Sequence, residues 1–291
     1  MQTQESVLKE KLGLSNKDKL QLRKFDRATR NVNYVLEVNG IPTYFLKVNS
    51  EGKEKEKKMY DFLEKYPLFN TPMPLYKDDK LIIFPFIPGF RDAEVRDNLD
   101  FIVNFHNDAF DLSSEVFEDY RDDKLFRNHY VNKFLDRLHR HEDLVVNFWK
   151  DIPALERFYK ENPPEMFEGL PKILVHGDIQ HKNLQEDSEG TIYLIDFEDV
   201  YFDAPSWDLP RPLMDLVAEE IEGYIGRYVE SVRVDDKDLL NKAINRDFVI
   251  RVITDSIGRQ QRFGIKGAKP NLDIYRERYT EKLEEIVYGK N

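Results

Sequence analysis

The sequence predicts an α+β chain of two lobes, a small antiparallel-sheet lobe over residues 1–87 and a larger, mainly helical lobe over residues 88–291. Three observations carry this. The first 90 or so residues alternate short apolar runs with turn signals around one charged helix. Asn39-Gly40 stands between two such runs, which is a strong short-range signal for an antiparallel hairpin. Beyond Arg91 the apolar spacing becomes helical, interrupted by a single cluster of short strands.

Taken in order, Val32 to Val38 and Tyr44 to Val48 flank the hairpin turn, with Lys47 near the end of the second strand. Glu51 to Lys65 is rich in helix formers, with Met59, Phe62, Leu63 and Tyr66 spaced to cover one face. The lysine and glutamate run from Glu51 to Lys58 reads as a solvated helix face, with room for one residue turned inward. Leu81 to Phe86 is a short apolar strand running into Ile87-Pro88-Gly89, a natural hinge. Asn98 to His106, Phe126 to Trp149 and Ile152 to Tyr159 read as helices, Ile173 to Val175 and Thr191 to Ile195 as buried strands, and the last 80 residues as helical again.

Composition narrows the chemistry. There is no cysteine, so disulfides, thiolate zinc sites and cysteine nucleophiles are excluded, and the work falls to oxygen and nitrogen groups. A hard cation such as magnesium suits that inventory. A formal net charge of −11 argues against a nucleic-acid partner and sits more easily with a neutral or cationic substrate. No run reaches the roughly 18 apolar residues of a membrane span, and the first residues lack the order of a signal peptide, so the expectation is a cytoplasmic protein with no membrane partner. No heptad seam stands out, which leaves the oligomeric state open, with a monomer as the default.

The strongest signal lies between residues 176 and 196. Val175-His176-Gly177-Asp178-Ile179-Gln180-His181-Lys182-Asn183-Leu184 follows one apolar run, and Tyr193-Leu194-Ile195-Asp196-Phe197-Glu198 completes a second. An Asp five residues before an Asn, with another Asp opening the next loop, is the order of a phosphoryl-transfer loop. In that order Asp178 orients or deprotonates an acceptor hydroxyl, while Asn183 and Asp196 hold magnesium against nucleotide phosphates. Phosphoryl transfer needs an aligned nucleophile and neutralised phosphate charge, and little covalent work from the protein, so carboxylates and a carboxamide suffice. Read alone, the same residues would cap a turn and end a strand; two such clusters, each after an apolar strand, weigh against that.

These residues resemble the aminoglycoside phosphotransferase and choline kinase superfamily, which has a protein-kinase-like fold. Gly177 and Glu198 fit its small-molecule branch, where ordinary protein kinases carry Arg and Gly. The resemblance implies an ATP- and Mg2+-dependent kinase with a nucleotide-binding first lobe and a catalytic, substrate-binding second lobe. Pro205-Ser206-Trp207-Asp208-Leu209 resembles the family's Pro-x-x-Asp-Leu element, which makes Asp208, with His176, a support of the catalytic loop. The resemblance also implies a lysine on the phosphates and a helix glutamate that orients it. Lys47, in Phe45-Leu46-Lys47-Val48, fills the first place, against the plainer reading of an edge-strand lysine. Glu56 is the choice for the second, with Glu54 its rival. By the same resemblance the Pro85 carbonyl and Ile87 amide would meet adenine, or else Ile83 to Gly89 is a linker.

One departure stands out: the phosphate-covering loop, Phe25 to Tyr34, contains no glycine, and Arg27, Arg30 and Asn31 are either phosphate contacts or solvated hairpin residues. The acceptor is a small hydroxyl compound that the sequence does not name. Glu115, Glu118, Asp119, Asp122 and Asp123 would attract a cation or lie on an exposed loop. Asp196-Phe197-Glu198-Asp199 is similar to a segment of bacterial cell-wall sugar kinases, which makes Asp199 and Trp207 possible sugar contacts, or a turn cap and a buried anchor. A nucleotide-binding pseudokinase or regulatory module is the alternative to an active enzyme.

Overall fold

The structure, a computed structural model, describes residues 2–25, 32–48, 54–112 and 133–289. The centre of the phosphate-covering loop, with Arg27, Arg30 and Asn31, lies outside the described residues, as do Glu115, Glu118, Asp119, Asp122 and Asp123. The chain divides into two units, residues 1–93 with 182–200, and residues 94–181 with 201–291. The segment 182–200 therefore groups with the first unit.

The first unit opens with helix α1 (Gln2–Lys11) and a five-stranded antiparallel sheet of β1 (Leu20–Phe25), β2 (Val32–Val38), β3 (Ile41–Val48), β4 (Tyr76–Lys77) and β5 (Leu81–Pro85), ordered β1-β2-β3-β5-β4. Asn39 (φ 55) and Gly40 (φ 82) both take positive φ, as the two-residue turn between β2 and β3 requires. Strand alternation then assigns the faces. Leu36, Leu46 and Ile83 form a core with Leu8 and Leu12 from α1 and Tyr34, Tyr44 and Tyr76. Phe45 and Lys47 point to the opposite face.

That face meets α2 (Glu54–Lys65). Its buried stripe is Glu56, Met59, Tyr60 and Leu63, the i, i+3, i+4, i+7 spacing of one helix face. The expected stripe is thus rotated: Phe62 and Leu63 are buried, whereas Tyr66 is 40% exposed, its ring lying 5.1 Å from that of Phe62. A three-stranded sheet completes the unit, β6 (Arg91–Asp92), β8 (Leu184–Glu186) and β9 (Ile192–Leu194), in the order β6-β8-β9.

In the second unit β7 (Ile173–Val175) pairs antiparallel with β10 (Tyr201–Asp203). Around them lie α3 (Leu99–Phe110), α4 (Phe134–Arg140), α5 (Glu142–Val145), α6 (Ile152–Glu161), α7 (Pro210–Met214), α8 (Ala218–Ser231) and the long helical run α9 (Lys237–Tyr288). The single helix expected from Phe126 to Trp149 is, over its described part, two short helices broken at His141, whose φ of −125° and ψ of 30° leave the helical range. Asp151 and Asp236 cap α6 and α9 by accepting from Ala154 N at 3.0 Å and Leu239 N at 2.9 Å. Gly264, at φ 69° and ψ 162°, breaks α9, a backbone state that only glycine takes freely. The core is the buried faces of α3, α8 and α9, with Phe105, Tyr224, Tyr228, Phe248 and Tyr279 among its largest fully buried side chains. No helix among the described residues is long and apolar enough to cross a membrane.

Candidate active site

In the first unit the site grows from strand alternation and helix phase. Lys47 lies on β3, a central strand paired with both β2 and β5, and its side chain faces α2. There Glu56 Oε1 accepts from Lys47 Nζ at 2.7 Å, and Asp196 Oδ1 also accepts from the same ammonium. Burial disfavours the charged amine, but the charges and hydrogen bonds of Asp196 and Glu56 outweigh it, so the Lys47 pKa is raised and the ammonium is retained. Glu54 is the first residue of the same helix.

The β8–β9 pairing fixes the next step. Leu184 faces Leu194 in an antiparallel ladder, and Ile195 N donates to Asn183 O at 3.0 Å, so Asn183 and the Ile195-Asp196 step emerge at the same end of the hairpin. Asp196 has φ 70° and ψ 67°, a left-handed conformation that a non-glycine residue adopts at a cost of roughly 1–2 kcal/mol. The neighbouring Phe197 is fully buried, its ring 5.4 Å from that of Tyr60 and 5.5 Å from that of Phe69, and this packing holds the turn. Asn183 and Asp196 supply hard oxygen donors. Two protein oxygens, with the remaining positions left to water and phosphate, is the pattern magnesium takes at phosphoryl-transfer sites, so these residues fit the ion. Among the described residues no group of three or more His, Cys, Asp or Glu offers an all-protein cage instead. Pro85 ends β5 opposite Tyr44, and Phe86 N donates to Thr43 O at 3.0 Å, which leaves Ile87 just beyond the sheet.

In the second unit β7 delivers His176, Gly177 and Asp178. Gly177 takes φ 80°, and the chain turns there with the amides of His176 and Gly177 donating to Asp208 Oδ2 at 2.8 Å and Oδ1 at 2.6 Å. Asp208 is buried, and its Oδ2 also lies 3.0 Å from His106 Nε2, whose Nδ1 is 2.6 Å from the Tyr228 hydroxyl. Asp178 is tied to its neighbours by Gln180 Nε2 at 2.6 Å from Oδ2 and by Arg211 Nε at 3.1 Å from Oδ1. Trp207 is 6% exposed, the burial of an anchor, and Asp199 is half-buried at the end of a 3-10 turn in the first unit.

The Phosphotransferase enzyme family (APH) matches residues 21–238, well over half of the chain and the span that holds every group just described. The chain belongs to this family. It is a phosphotransferase that acts on hydroxyl groups. No curated protein matches it significantly in sequence. Similar solved structures include an ADP-bound aminoglycoside phosphotransferase APH(2'')-Ib, 16% identical over 96% of this chain and 98% of that one at a TM-score of 0.62. They also include the choline kinase LicA from Streptococcus pneumoniae, 15% identical over 99% of both chains at 0.57. A Plasmodium vivax ethanolamine kinase is 17% identical over 94% of this chain and 84% of its own at 0.62. These likenesses show the shared kinase-like fold.

Sequence reasoning about this family member missed His106, Tyr228 and Arg211, which surround Asp208 and Asp178. His106 carried a usable sign: it continues the apolar stripe Leu99, Ile102, Val103 at helical spacing, and a polar residue in a buried stripe asks for a buried partner.

Proposed function

We propose that this phosphotransferase is an ATP- and Mg2+-dependent small-molecule kinase that moves the γ-phosphate to a hydroxyl of an aminoglycoside, amino alcohol or sugar. The observation that carries the reading is the meeting of Lys47, Glu56 and Asp196 at one ammonium, beside the hairpin end that also presents Asn183. A buried lysine held charged by two carboxylates suits a polyphosphate ligand, to which Asp196 would yield it.

In this proposal Lys47 contacts the α- and β-phosphates and Glu56 holds it in place. Pro85 and Ile87 meet the adenine. Magnesium, held by Asn183 and Asp196, would neutralise phosphate charge. Asp178 receives the acceptor hydroxyl, on a loop whose amides Asp208 fixes, with His176 as a supporting residue. Residues 1–87 serve the nucleotide and residues 88–291 the acceptor, with Asn183 and Asp196 as the exception. Asp199 stays a possible acceptor contact, whereas buried Trp207 enters as an anchor. The absence of cysteine suits a reducing, cytoplasmic setting.

The test is an ATP-consumption screen over aminoglycosides, choline, ethanolamine, amino sugars and hexoses, with and without magnesium. Magnesium-dependent consumption with at least one acceptor class is expected. Nucleotide binding without transfer to any of them would favour a pseudokinase instead.

A further inference from the structure

We propose that Asp255 is the positioning residue that holds Arg211 against Asp178 Oδ1, and through it the carboxylate that meets the acceptor. This rests on the kinase reading above, in which Asp178 is the base.

The two carboxylate oxygens of Asp178 have different partners. Oδ1 accepts from Arg211 Nε at 3.1 Å and from Arg251 Nη2 at 3.3 Å, while Oδ2 accepts from the Gln180 amide at 2.6 Å. A carboxylate oxygen has two lone-pair directions, so two guanidinium N–H donors fill Oδ1. Those donors stay charged at any working pH, and bonds to charged groups are about twice as strong as neutral ones.

Arg211 is bridged. Its Nη1 lies 3.3 Å from Asp255 Oδ1, so one planar guanidinium joins the base to a second carboxylate, a geometry that a lysine point charge lacks. Asp255 Oδ2 in turn accepts from Arg259 Nε at 2.8 Å and the Tyr275 hydroxyl at 2.7 Å. Burial alone would raise the Asp255 pKa, but the charges of Arg211 and Arg259 and the Tyr275 bond bring it down to about 2, so Asp255 is an anion throughout the working range. Arg251, Asp255 and Arg259 repeat at i, i+4 and i+8 along one face of α9, which makes the helix the rigid backing of the base. In the transfer step the acceptor oxygen bonds the γ-phosphorus as the bond to the β,γ-bridging oxygen breaks and ADP leaves. The hydroxyl proton passes to the Asp178 carboxylate and then to solvent.

The experiment uses the full chain with magnesium-ATP, measuring turnover with water as acceptor and with kanamycin, choline, ethanolamine and glucose, alongside ADP affinity by calorimetry. Arg211→Ala and Asp255→Asn are each expected to lower kcat about 10- to 100-fold, the cost of misplacing a reacting group by about 1 Å, with ADP affinity and the KM for ATP unchanged. The double variant should be no slower than Arg211→Ala, since Asp255 acts only through Arg211, and Arg211→Lys should not restore the rate. Wild-type kcat in Asp255→Asn, or losses that multiply in the double variant, overturns the proposal. A second readout needs no turnover: the Arg211 Nε–H NMR signal should shift and exchange faster in both Asp178→Asn and Asp255→Asn, and an unmoved signal refutes the bridge. If Asp178→Ala itself keeps full turnover, it is the kinase reading of Asp178 that fails. If Asp178→Ala is inactive while Arg211→Ala and Asp255→Asn run at the wild-type rate, only the positioning inference fails.

Discussion

Lys47 Nζ lies 2.7 Å from Glu56 Oε1, joining the central strand of the sheet to the one charged residue in the buried stripe of α2. Breaking a buried pair on one side strands the other charge, which costs roughly 3–5 kcal/mol when no partner remains. Asp196 also touches this ammonium, so Glu56→Ala should sit at the lower end, about 3 kcal/mol, and Glu56→Gln below it. Urea unfolding checks the stability, and calorimetry should show ADP binding weakened at least tenfold in Glu56→Ala.

The Asp255 carboxylate predicts a pH dependence. Its folded pKa is depressed to about 2, below the usual range of about 3.9 for the unfolded chain, so the stability it contributes is fully present above about pH 4 and lost as pH falls through 2. A shift of this size corresponds to about 2.5 kcal/mol. Asp255→Asn should lower the Tm at pH 7 and flatten its fall between pH 4 and 2. An unchanged acid limb would assign the acid sensitivity to other carboxylates.

His106 links Tyr228 to Asp208 in the buried interior of the second unit. His106→Ala leaves two buried polar groups short of a partner and opens a cavity, for an expected loss of about 3 kcal/mol. Because Asp208 carries the amides of His176 and Gly177, kcat should fall with stability while ADP affinity holds. Chemical unfolding and steady-state kinetics on the same preparation separate the two effects.

Gly40 has open space where a Cβ would stand, and its φ is +82°. Gly40→Ala therefore meets only backbone strain, about 1 kcal/mol, visible as a lower Tm without change in kcat.

The fold, and the short stretch proposed as the transfer loop, were legible in the sequence because their signals are local. Asn39-Gly40 specifies its own turn, and Asp178, Asn183 and Asp196 lie within one short stretch punctuated by apolar strands. The choice of Glu56 agrees with helix phase, since Glu56 stands three residues before Met59 and four before Tyr60 on the buried face. What stayed hidden is nonlocal. Arg251 reaches Asp178 across 73 residues and His106 reaches Asp208 across 102, distances over which a single sequence records no pairing. The break at His141 likewise has no glycine or proline to announce it.

The central claim is that residues 178, 183 and 196 transfer a phosphoryl group. Its most direct test compares wild type, Asp178→Asn and Asp196→Ala for transfer of labelled γ-phosphate from magnesium-ATP to an aminoglycoside, choline, ethanolamine, amino sugar and hexose panel. Thermal melts in magnesium-ATP run in parallel. The account predicts a Tm raised by the nucleotide in wild type and in Asp178→Asn, since a ligand that binds only the native state must stabilise it. It also predicts a labelled product from wild type alone. Equal product from Asp178→Asn, or no shift in wild-type Tm at saturating magnesium-ATP, would contradict it.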